Sequence, residues 1–350
     1  MEKIYRSFYT KSDPIVSYMI NRLTIKDGLK ILEPCAGDGV FVDALTSQNK
    51  NITIDVLELN PKAIQILKEK YENHENIKIK ETDMLTDPDL LWYSNVGGIY
   101  DRIIANPPYG GWLDYQKRKI LKELYPYLYV KETYSLFLYR CIHLLKEKGI
   151  LVFIIPDTFL NLHMHTKFRE FILTNTKIKE LVLFPSSFFP GVNFGYSNLS
   201  IITLERCADK TECLENIKTV ITGFKRVEQL AGLIKNEKKE LNIYRFKQGV
   251  IFRNIDHGLF INGNKRVADL INRGKVRIGD IAECVTGFYS GNDRKYLKVL
   301  SRDVKRAKKY EVVGKEIICD NFVEENNLLA GIEDNKHFVP IVKGGGSKVL

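Results

Sequence analysis

The feature that most constrains the fold is a regular alternation of short apolar runs and amphipathic stretches between residues 29 and 204. The apolar runs have the length of strands, and the stretches between them have the periodicity of helices. Strands that alternate with helices pair in parallel, and the helices cover the faces of the sheet. The sequence therefore predicts an α/β fold on an open twisted sheet. The predicted strands are 29–32, 52–57, 77–79, 100–104, 150–155, 178–184 and 199–204, the last two antiparallel, and the predicted helices are 39–45, 61–71, 134–146 and 166–175.

An acid and two glycines follow the first predicted strand, in the run LEPCAGDG at 32–39. Gly37 and Gly39 allow a tight turn and a close approach of the backbone to a ligand. Glu33 and Asp38 make this loop acidic, whereas a phosphate-binding loop presents bare amides and a cation. The loop therefore favours a ligand with a positive centre, such as S-adenosylmethionine with its sulfonium and ammonium groups. A turn that only packs a helix is the alternative.

Two more acids follow the second and third predicted strands. Glu58 in VLELN stands where an acid accepts both ribose hydroxyls in dinucleotide sites. Asp83 in ETDML is placed to accept from an adenine amino group, while Met84 or Leu85 packs against the ring. Each acid alone is equally well explained as a solvated surface group, but acids at three successive strand ends favour a nucleoside site.

The tetrapeptide Asn106-Pro107-Pro108-Tyr109 follows the fourth predicted strand. Two prolines fix φ and remove two backbone donors, so this turn presents acceptors. The Asn106 side-chain oxygen and the Pro107 carbonyl can both accept from one exocyclic NH2 group, and Tyr109 offers a ring for stacking. Such an arrangement directs the nitrogen lone pair at a methyl donor, so catalysis is positioning plus charge stabilisation. The alternative is an ordinary exposed turn capped by asparagine.

Charge divides the chain into two parts. Residues 1–205 hold 25 Lys/Arg against 24 Asp/Glu, and residues 206–350 hold 28 against 19. We predict a catalytic domain at 1–210 and a smaller mixed α/β domain at 211–350 that meets a polyanion. Its densest basic part, 265–315, has 14 Lys/Arg against 6 Asp/Glu and three tyrosines. A solvated lysine-rich surface is the alternative, and the end of the chain, which lacks a closing element, suggests that this domain is incomplete at residue 350.

Several classes of protein are disfavoured. The longest apolar run, 149–156, is far shorter than the roughly 20 residues of a membrane span, and the N-terminus has no apolar segment of an export signal. The six cysteines have no CxxC spacing, which predicts reduced thiols and no metal site. These features predict a cytoplasmic protein without a membrane partner.

The order FYTKSDP, LEPCAGDG, LELN, TDML and NPPY resembles the gamma-class adenine-N6 DNA methyltransferases of restriction–modification systems. The resemblance is close over residues 5–205 and looser beyond, where the family has a target-recognition domain. It implies a Rossmann-like methyltransferase fold, S-adenosylmethionine as cofactor and double-stranded DNA as substrate. NPPY is also found in cytosine-N4, protein-glutamine and guanine-N2 methyltransferases, but the FYTKSDP segment and the basic second half favour the DNA enzymes.

The resemblance also implies roles for individual residues. Tyr9, Thr10 and Lys11 would cover the methionine end of the cofactor, which Glu33, Ala36 and Gly37 would line. Phe137 would pack near the cofactor, although a core position explains it equally well. An aromatic side chain of 186–194 would stack on a flipped base. Phe189 is the preferred candidate over Phe188 and Phe194.

The function predicted from the sequence is methyl transfer from S-adenosylmethionine to the N6 of a flipped adenine in duplex DNA. The predicted catalytic residues are Asn106, Pro107, Tyr109 and Phe189. The predicted cofactor contacts are Tyr9, Thr10, Glu33, Ala36, Gly37, Glu58, Asp83, Met84, Asn106 and Phe137. Cytosine-N4 methylation and a non-catalytic DNA-binding specificity protein are the alternatives. A cognate restriction endonuclease is a candidate partner. A nuclease segment that follows residue 350 is a further alternative, and no oligomeric state is predicted.

Overall fold

The computed structural model of the protein describes residues 12–95, 97–110, 115–189, 198–237 and 240–259, with short parts of the chain beyond (273, 276, 281–282, 297–303 and 309–315). The chain forms two compact units, Met1–Gly274 and Lys275–Leu350. In the described part of the second unit, the short strands Lys298–Val299 (β10) and Glu311–Val312 (β11) pair in parallel.

The first unit is organised by a nine-stranded sheet. Its strands are β1 Lys30–Glu33, β2 Thr53–Glu58, β3 Ile77–Glu81, β4 Tyr100–Ala105, β5 Leu145–Pro156, β6 Thr176–Phe184, β7 Leu199–Arg206, β8 Ile217–Thr222 and β9 Asn242–Lys247. Their order is β3-β2-β1-β4-β5-β7-β6-β8-β9. The five adjacent strands β3, β2, β1, β4 and β5 are parallel to one another, and β7 runs antiparallel to both β5 and β6. The predicted open α/β sheet and the antiparallel pairing of its last two predicted strands are confirmed.

The centre of the sheet is buried because its strands are apolar on both faces. Residues 151–156 of β5 and residues 103–105 of β4 are buried without alternation. Continuous burial of this kind is expected where helices cover both sides of a parallel sheet. The sheet therefore has a covered centre.

Ten α-helices occur in the described parts of the chain. They are α1 Asp13–Arg22, α2 Val40–Thr46, α3 Pro61–Lys70, α4 Pro88–Asn95, α5 Tyr115–Leu124, α6 Thr133–Leu144, α7 Thr166–Asn175, α8 Lys210–Glu215, α9 Gln229–Ile234 and α10 Gln248–Phe252. Eight of them form two packed groups, one of α1, α2 and α9 and the other of α4, α6, α7, α8 and α10. The four predicted helices, α2, α3, α6 and α7, are confirmed with small shifts of their ends, and the other six were not predicted. None of these ten helices is long and apolar enough to cross a membrane.

The sheet continues past the predicted domain boundary at 210/211. Strand β8 pairs in parallel with β6, and β9 pairs antiparallel with β8. The side chain of Gln248 locks this extension to the earlier part of the sheet. Its amide donates to the carbonyls of Leu173 and Thr176 at 2.8 and 2.7 Å, and its oxygen accepts from the Ile178 amide at 3.0 Å. The compact units divide after Gly274 and not after residue 210.

We expect Gln248→Glu to destabilise the first unit by about 2 kcal/mol or more. The substitution keeps the shape but turns a buried donor pair into oxygens that face two carbonyls, which leaves buried polar groups without partners. Denaturant unfolding measures the free energy, and Gln116→Glu on the exposed side of α5 is the matched control. An equal free energy of unfolding for both variants would contradict the role of Gln248.

Candidate active site

The polar residues that follow four neighbouring strands meet at one edge of the sheet. Strands β3, β2, β1 and β4 are adjacent and parallel, so their carboxyl ends lie side by side. Glu33 and Glu58 are the last residues of β1 and β2, Asn106 directly follows β4, and Asp83 comes two residues after β3. Ligands of open α/β sheets bind outside the carboxyl ends of the strands. This edge is therefore the candidate site.

The loop after β1 is held by the backbone and by β2. The Ala36 amide donates to the Leu57 carbonyl at 3.0 Å. The Gly37 amide donates to a carboxylate oxygen of Glu58 at 2.7 Å, and Gly37 has a positive φ of 56°. Gly37 thus occupies a conformation that favours glycine, and the loop is anchored to the end of the neighbouring strand.

Gly39 has a different role from the one predicted. Its φ is 85°, and a Cβ there would lie 2.8 Å from Leu67 Cδ2 and 2.9 Å from the Tyr71 hydroxyl. The space that this glycine leaves is filled by α3 and by Tyr71, whose hydroxyl also donates to the Gly39 carbonyl at 3.1 Å. Gly39 therefore allows close packing of protein against the loop, and the close approach of a ligand stays a prediction for Gly37.

Glu33 is a buried acid surrounded by other acids. Its side chain is almost fully buried, and Oε2 has no hydrogen-bond partner among the residues that the structure describes. Burial raises the pKa of its carboxyl well above the usual value, and the negative charges of Glu58 and Asp38 raise it further. A buried carboxylate with an unsatisfied oxygen is costly unless a donor or a cation satisfies it. The buried carboxyl of Glu33 and the acids around it therefore fit a cationic ligand such as the ammonium or sulfonium of S-adenosylmethionine.

Glu58 is oriented by three backbone amides. Besides the Gly37 amide on Oε2, its Oε1 accepts from the amides of Leu59 and Asn60, both at 2.8 Å. These contacts fix the carboxylate in one orientation at the end of β2. Since a carboxylate has about four acceptor sites, about one is left to accept from a ribose hydroxyl. The predicted ribose contact is compatible with this geometry and stays a prediction.

Asp83 has protein partners on both carboxylate oxygens. Oδ1 accepts from the Leu85 amide at 3.0 Å, and Oδ2 forms an ion pair with Lys117 of α5. The adjacent Met84 is buried in the core. The predicted contacts of Asp83 and Met84 with an adenine ring therefore stay predictions, and Asp83 makes an ion pair that the sequence did not predict.

The NPPY turn is clamped from two sides. The Cys35 thiol of the β1 loop donates to the Asn106 carbonyl at 3.5 Å, and the Thr133 hydroxyl at the start of α6 donates to the Pro108 carbonyl at 2.6 Å. Burial raises the pKa of the Cys35 thiol, as do Glu33 and Glu58, so Cys35 keeps its proton and remains a donor. The turn is thus fixed between the cofactor-side loop and α6, with Asn106 Oδ1 shielded from solvent.

The start of α6 is itself braced by a polar cluster behind the NPPY turn. His165 Nε2 lies 2.8 Å from a carboxylate oxygen of Glu132 and 3.1 Å from the Tyr134 hydroxyl. The Tyr134 hydroxyl also lies 2.8 Å from the Thr158 hydroxyl, just after β5. Hydrogen bonding by this cluster lowers the pKa of Glu132, although its partial burial acts in the opposite direction. The cluster joins the carboxyl end of β5 to the helix that holds the NPPY turn.

The predicted aromatic residues are buried. Tyr109 is 5% exposed, and burial raises the pKa of its hydroxyl well above the usual value. Phe189 is 1% exposed, and Phe137 also lies in the core. Neither Tyr109 nor Phe189 has an open ring face in this structure, so stacking on a base stays a prediction for both. Tyr9, Thr10, Lys11 and Phe194 lie outside the described residues.

Sequence reasoning missed three residues of this site. Cys35 lies inside the LEPCAGDG run, and its position just before the two glycines could have indicated that it belongs to the site. Thr133 and Lys117 belong to helices far along the chain from the residues that they contact, and no local pattern marks them. In the described part of the chain, no group of three or more His, Cys, Asp or Glu residues could hold a metal ion.

Several curated proteins are similar to part of this chain. The type II methyltransferase M.AccI of Acinetobacter calcoaceticus is 32% identical over 187 residues, 52% of this chain and 33% of its own length. The type II methyltransferase M.HincII of Haemophilus influenzae is 28% identical over 233 residues, 60% of this chain and 42% of its own length. The chain thus spans well under half the length of these relatives.

Two solved structures share the fold. The type IIG restriction endonuclease BpuSI has a TM-score of 0.54 at 17% identity, over 73% of this chain and 32% of its own. A Listeria monocytogenes protein, described as a class I S-adenosylmethionine-dependent methyltransferase, has a TM-score of 0.51 at 16% identity, over 67% of this chain and 72% of its own. The predicted Rossmann-like methyltransferase fold of the first unit is confirmed.

The sequence pattern of one family matches more than half of the chain. It extends from residue 5 to residue 189 and so includes the β1 loop, Glu58, Asp83 and the NPPY turn. The predicted membership in a family of restriction–modification methylases is confirmed, because the chain belongs to the Eco57I restriction-modification methylase family.

Proposed function

We propose that this protein is a DNA methyltransferase of a restriction–modification system that methylates the N6 of adenine with S-adenosylmethionine as cofactor. The observation that carries the proposal is the clamped NPPY turn next to a buried acid with an unsatisfied oxygen. The turn offers acceptors for an exocyclic amine, and the acid offers a place for a cation. The family match and the similarity to M.AccI and M.HincII support the same activity.

S-adenosylmethionine supplies an activated methyl group on a sulfonium when it is bound. Glu33 would balance the positive charge at the methionine end, where its free oxygen is buried. The Gly37 backbone leaves room for a close approach, and Glu58 would accept from the ribose. Asp83 would accept a hydrogen bond from the amino group of the cofactor's adenine. This contact would replace the ion pair of Asp83 with Lys117 or form beside it.

The residues of the NPPY turn would orient the target amine. The Asn106 side-chain oxygen and the Pro107 carbonyl accept the two hydrogens of an exocyclic NH2 group, which favours a tetrahedral nitrogen with a directed lone pair. As positive charge develops on that nitrogen, the same acceptors stabilise it. The clamp by Cys35 and Thr133 keeps these oxygens in place before the substrate arrives, which is the positioning that such a reaction needs.

A base in duplex DNA has to leave the stack to reach a buried site. We propose that the target adenine is flipped out beside the NPPY turn and stacks on Tyr109 or Phe189. Both rings are buried, so a stacking role for either residue requires that its side chain leave its present packing. The basic residues of 211–350, some of which belong to the second compact unit, would contact the DNA and select its sequence. A cognate restriction endonuclease would recognise the same DNA sequence.

We expect Asn106→Ala to lower kcat for methyl transfer by about 100-fold or more while cofactor affinity changes only a few-fold, because it removes an acceptor used at the reacting nitrogen. Transfer of labelled methyl groups to DNA measures the rate, and calorimetry measures cofactor binding. Asn161→Ala, at an exposed position, is the control. Retained turnover in Asn106→Ala would refute the assigned role.

Analysis of modified bases in DNA treated with the wild-type protein identifies the target. N6-methyladenine supports the proposal, and N4-methylcytosine assigns the same site to the cytosine enzymes. Unmodified DNA that is nevertheless bound specifically would favour the non-catalytic alternative.

We expect Glu33→Gln to weaken the binding of S-adenosylmethionine by roughly 10- to 100-fold, the typical effect of losing a hydrogen bond to a charged group. The raised pKa of Glu33 adds a second readout. A carboxyl that holds its proton above the usual range releases it when a cation binds, so wild-type affinity should increase as pH rises through that pKa. Calorimetry in two buffers of different ionisation enthalpy measures the released proton.

The released proton of Glu33 distinguishes it from other acids. Glu72→Gln, at an exposed position, should keep both the affinity and the proton release. Equal proton release in Glu33→Gln and in the wild type would show that the cation does not bind at Glu33.

We expect Thr133→Val to lower kcat by about 10- to 100-fold without changing the KM for the cofactor. The substitution keeps the shape of the side chain but loses the hydrogen bond to Pro108, so the NPPY turn is less well positioned. Thr133→Ser retains the hydroxyl and should recover most of the activity. If the Val and Ser variants had the same kcat, the hydroxyl would have no positioning role.

A further inference from the structure

The helix that follows the NPPY turn is unusually basic. Helix α5 has the sequence YQKRKILKEL, with four basic residues and one acid in ten positions. Residues 1–205 as a whole are nearly balanced, with 25 Lys/Arg against 24 Asp/Glu. Positive charge in the catalytic half of the chain is therefore concentrated beside the candidate active site.

One side of α5 packs against the rest of the first unit. Leu121 and Tyr125, which follow Lys117 at intervals of four residues, are buried. The Tyr125 hydroxyl donates to the Leu85 carbonyl at 2.8 Å, and Lys117 pairs with Asp83. Residues four apart lie on one face of a helix, so this face of α5 rests on the segment after β3.

The opposite side of α5 carries an aromatic ring and two cations. Tyr115, Lys119 and Lys122 are spaced by four and three residues, which places them on one face. Tyr115 is 79% exposed, and both lysines are exposed. Lys119 and Lys122 form no ion pair with any residue in the described ranges, whereas Lys70, Lys80 and Lys146 each pair with an aspartate.

Electrostatics make this face a suitable place for a polyanion. The neighbouring edge of the sheet carries the acids Asp38 and Glu58, which attract a cationic ligand but repel phosphates. A DNA strand that brings a base to this edge needs positive charge close by to offset that repulsion. Unpaired lysines beside an exposed tyrosine can neutralise phosphates and pack against the sugar or a base.

The chain length keeps α5 near the target base. Five residue steps connect Gly110 at the end of the NPPY turn to Tyr115. A fully extended chain spans at most about 3.6 Å per residue, so these two residues are within roughly 18 Å of each other. That reach is about half of a helical turn of DNA, which is roughly 34 Å. The start of the exposed face of α5 at Tyr115 is therefore within reach of the phosphates that flank a base held at Asn106, and Lys119 and Lys122 lie one and two helical turns beyond it.

We propose that the exposed face of α5, formed by Tyr115, Lys119 and Lys122, binds the DNA backbone next to the flipped base. The inference rests on the proposed function and locates a DNA contact in the first unit, outside the basic region 265–315. In this arrangement the two lysines bind phosphates without sequence preference, and they hold the strand while the target base enters the site.

The test compares two charge-matched double variants of the full chain. Lys119→Gln/Lys122→Gln removes the proposed contacts, and Lys62→Gln/Lys68→Gln removes two exposed lysines from α3. Affinity for one duplex is measured at several salt concentrations. Each lost phosphate contact should reduce the slope of log K against log salt by about 0.9, so the α5 variant should lose about 1.8. Its affinity at about 50 mM salt should fall roughly tenfold or more, with kcat at saturating DNA unchanged.

The outcomes separate this inference from the proposed function. A reduced slope in the α5 variant and a wild-type slope in the α3 variant support the inference. Equal slopes in the two variants overturn it, and so does a loss of kcat without a change of slope, because α5 would then act on the chemistry. If the wild type binds DNA but methylates no base, the proposed function fails, while the slopes still show whether α5 contacts phosphates. Thermal unfolding confirms that both variants are folded.

Discussion

The parallel pairing of β1 with both β2 and β4 is the constraint on which the candidate site depends. It aligns the ends of the three strands, so the β1 loop lies between Glu58 on one side and Asn106 on the other. Each neighbour is then joined to that loop by a hydrogen bond, from Gly37 to Glu58 and from Cys35 to the Asn106 carbonyl. The proposed cofactor side and the proposed base side of the site are thus both joined to one loop, and a shift of that loop would move both.

Burial gives the acidic edge its chemical character. A solvated cluster of acids would attract any cation weakly, because water screens each charge. Glu33 is shielded from water, and the charges around it raise the pKa of its carboxyl, so ionisation becomes favourable only with a positive partner. The cost of removing this group from water would be offset by a bound cation. Under the proposed function, selectivity for a positively charged methyl donor would therefore follow from the position of one side chain at the end of β1.

Much of this could be predicted from the sequence because the signals were local. Strand ends followed by acids, and a turn with two adjacent prolines, are visible without a structure, and the sheet order then brings them together. Gly39 shows the limit of such reasoning. A glycine after a strand has the same local pattern whether a ligand or a helix occupies the space beside it, and only the packing of Leu67 and Tyr71 distinguishes the two.

Other features could not be predicted because they depend on residues far apart in the sequence. Thr133 contacts Pro108 across 25 residues, and Lys117 reaches Asp83 across 34. Gln248 joins the sheet across more than 70 residues, which is why the change in composition near residue 210 does not coincide with a structural boundary. The burial of Phe189 is a property of the assembled core, which the sequence of its loop could not indicate.

The two faces of α5 suggest how an acidic cofactor site and a polyanionic substrate can share one edge of a sheet. Lys117 on the inner face neutralises Asp83, which lowers the negative charge that an approaching phosphate meets. Lys119 and Lys122 on the outer face add positive charge where the protein meets solvent. The helix therefore separates the acids of the sheet edge from the outer lysines by its own diameter of about 10 Å. This distance is comparable to the Debye length at physiological salt. On that scale, phosphates of bound DNA would respond mainly to the lysines, while a bound cofactor would respond mainly to the buried acids.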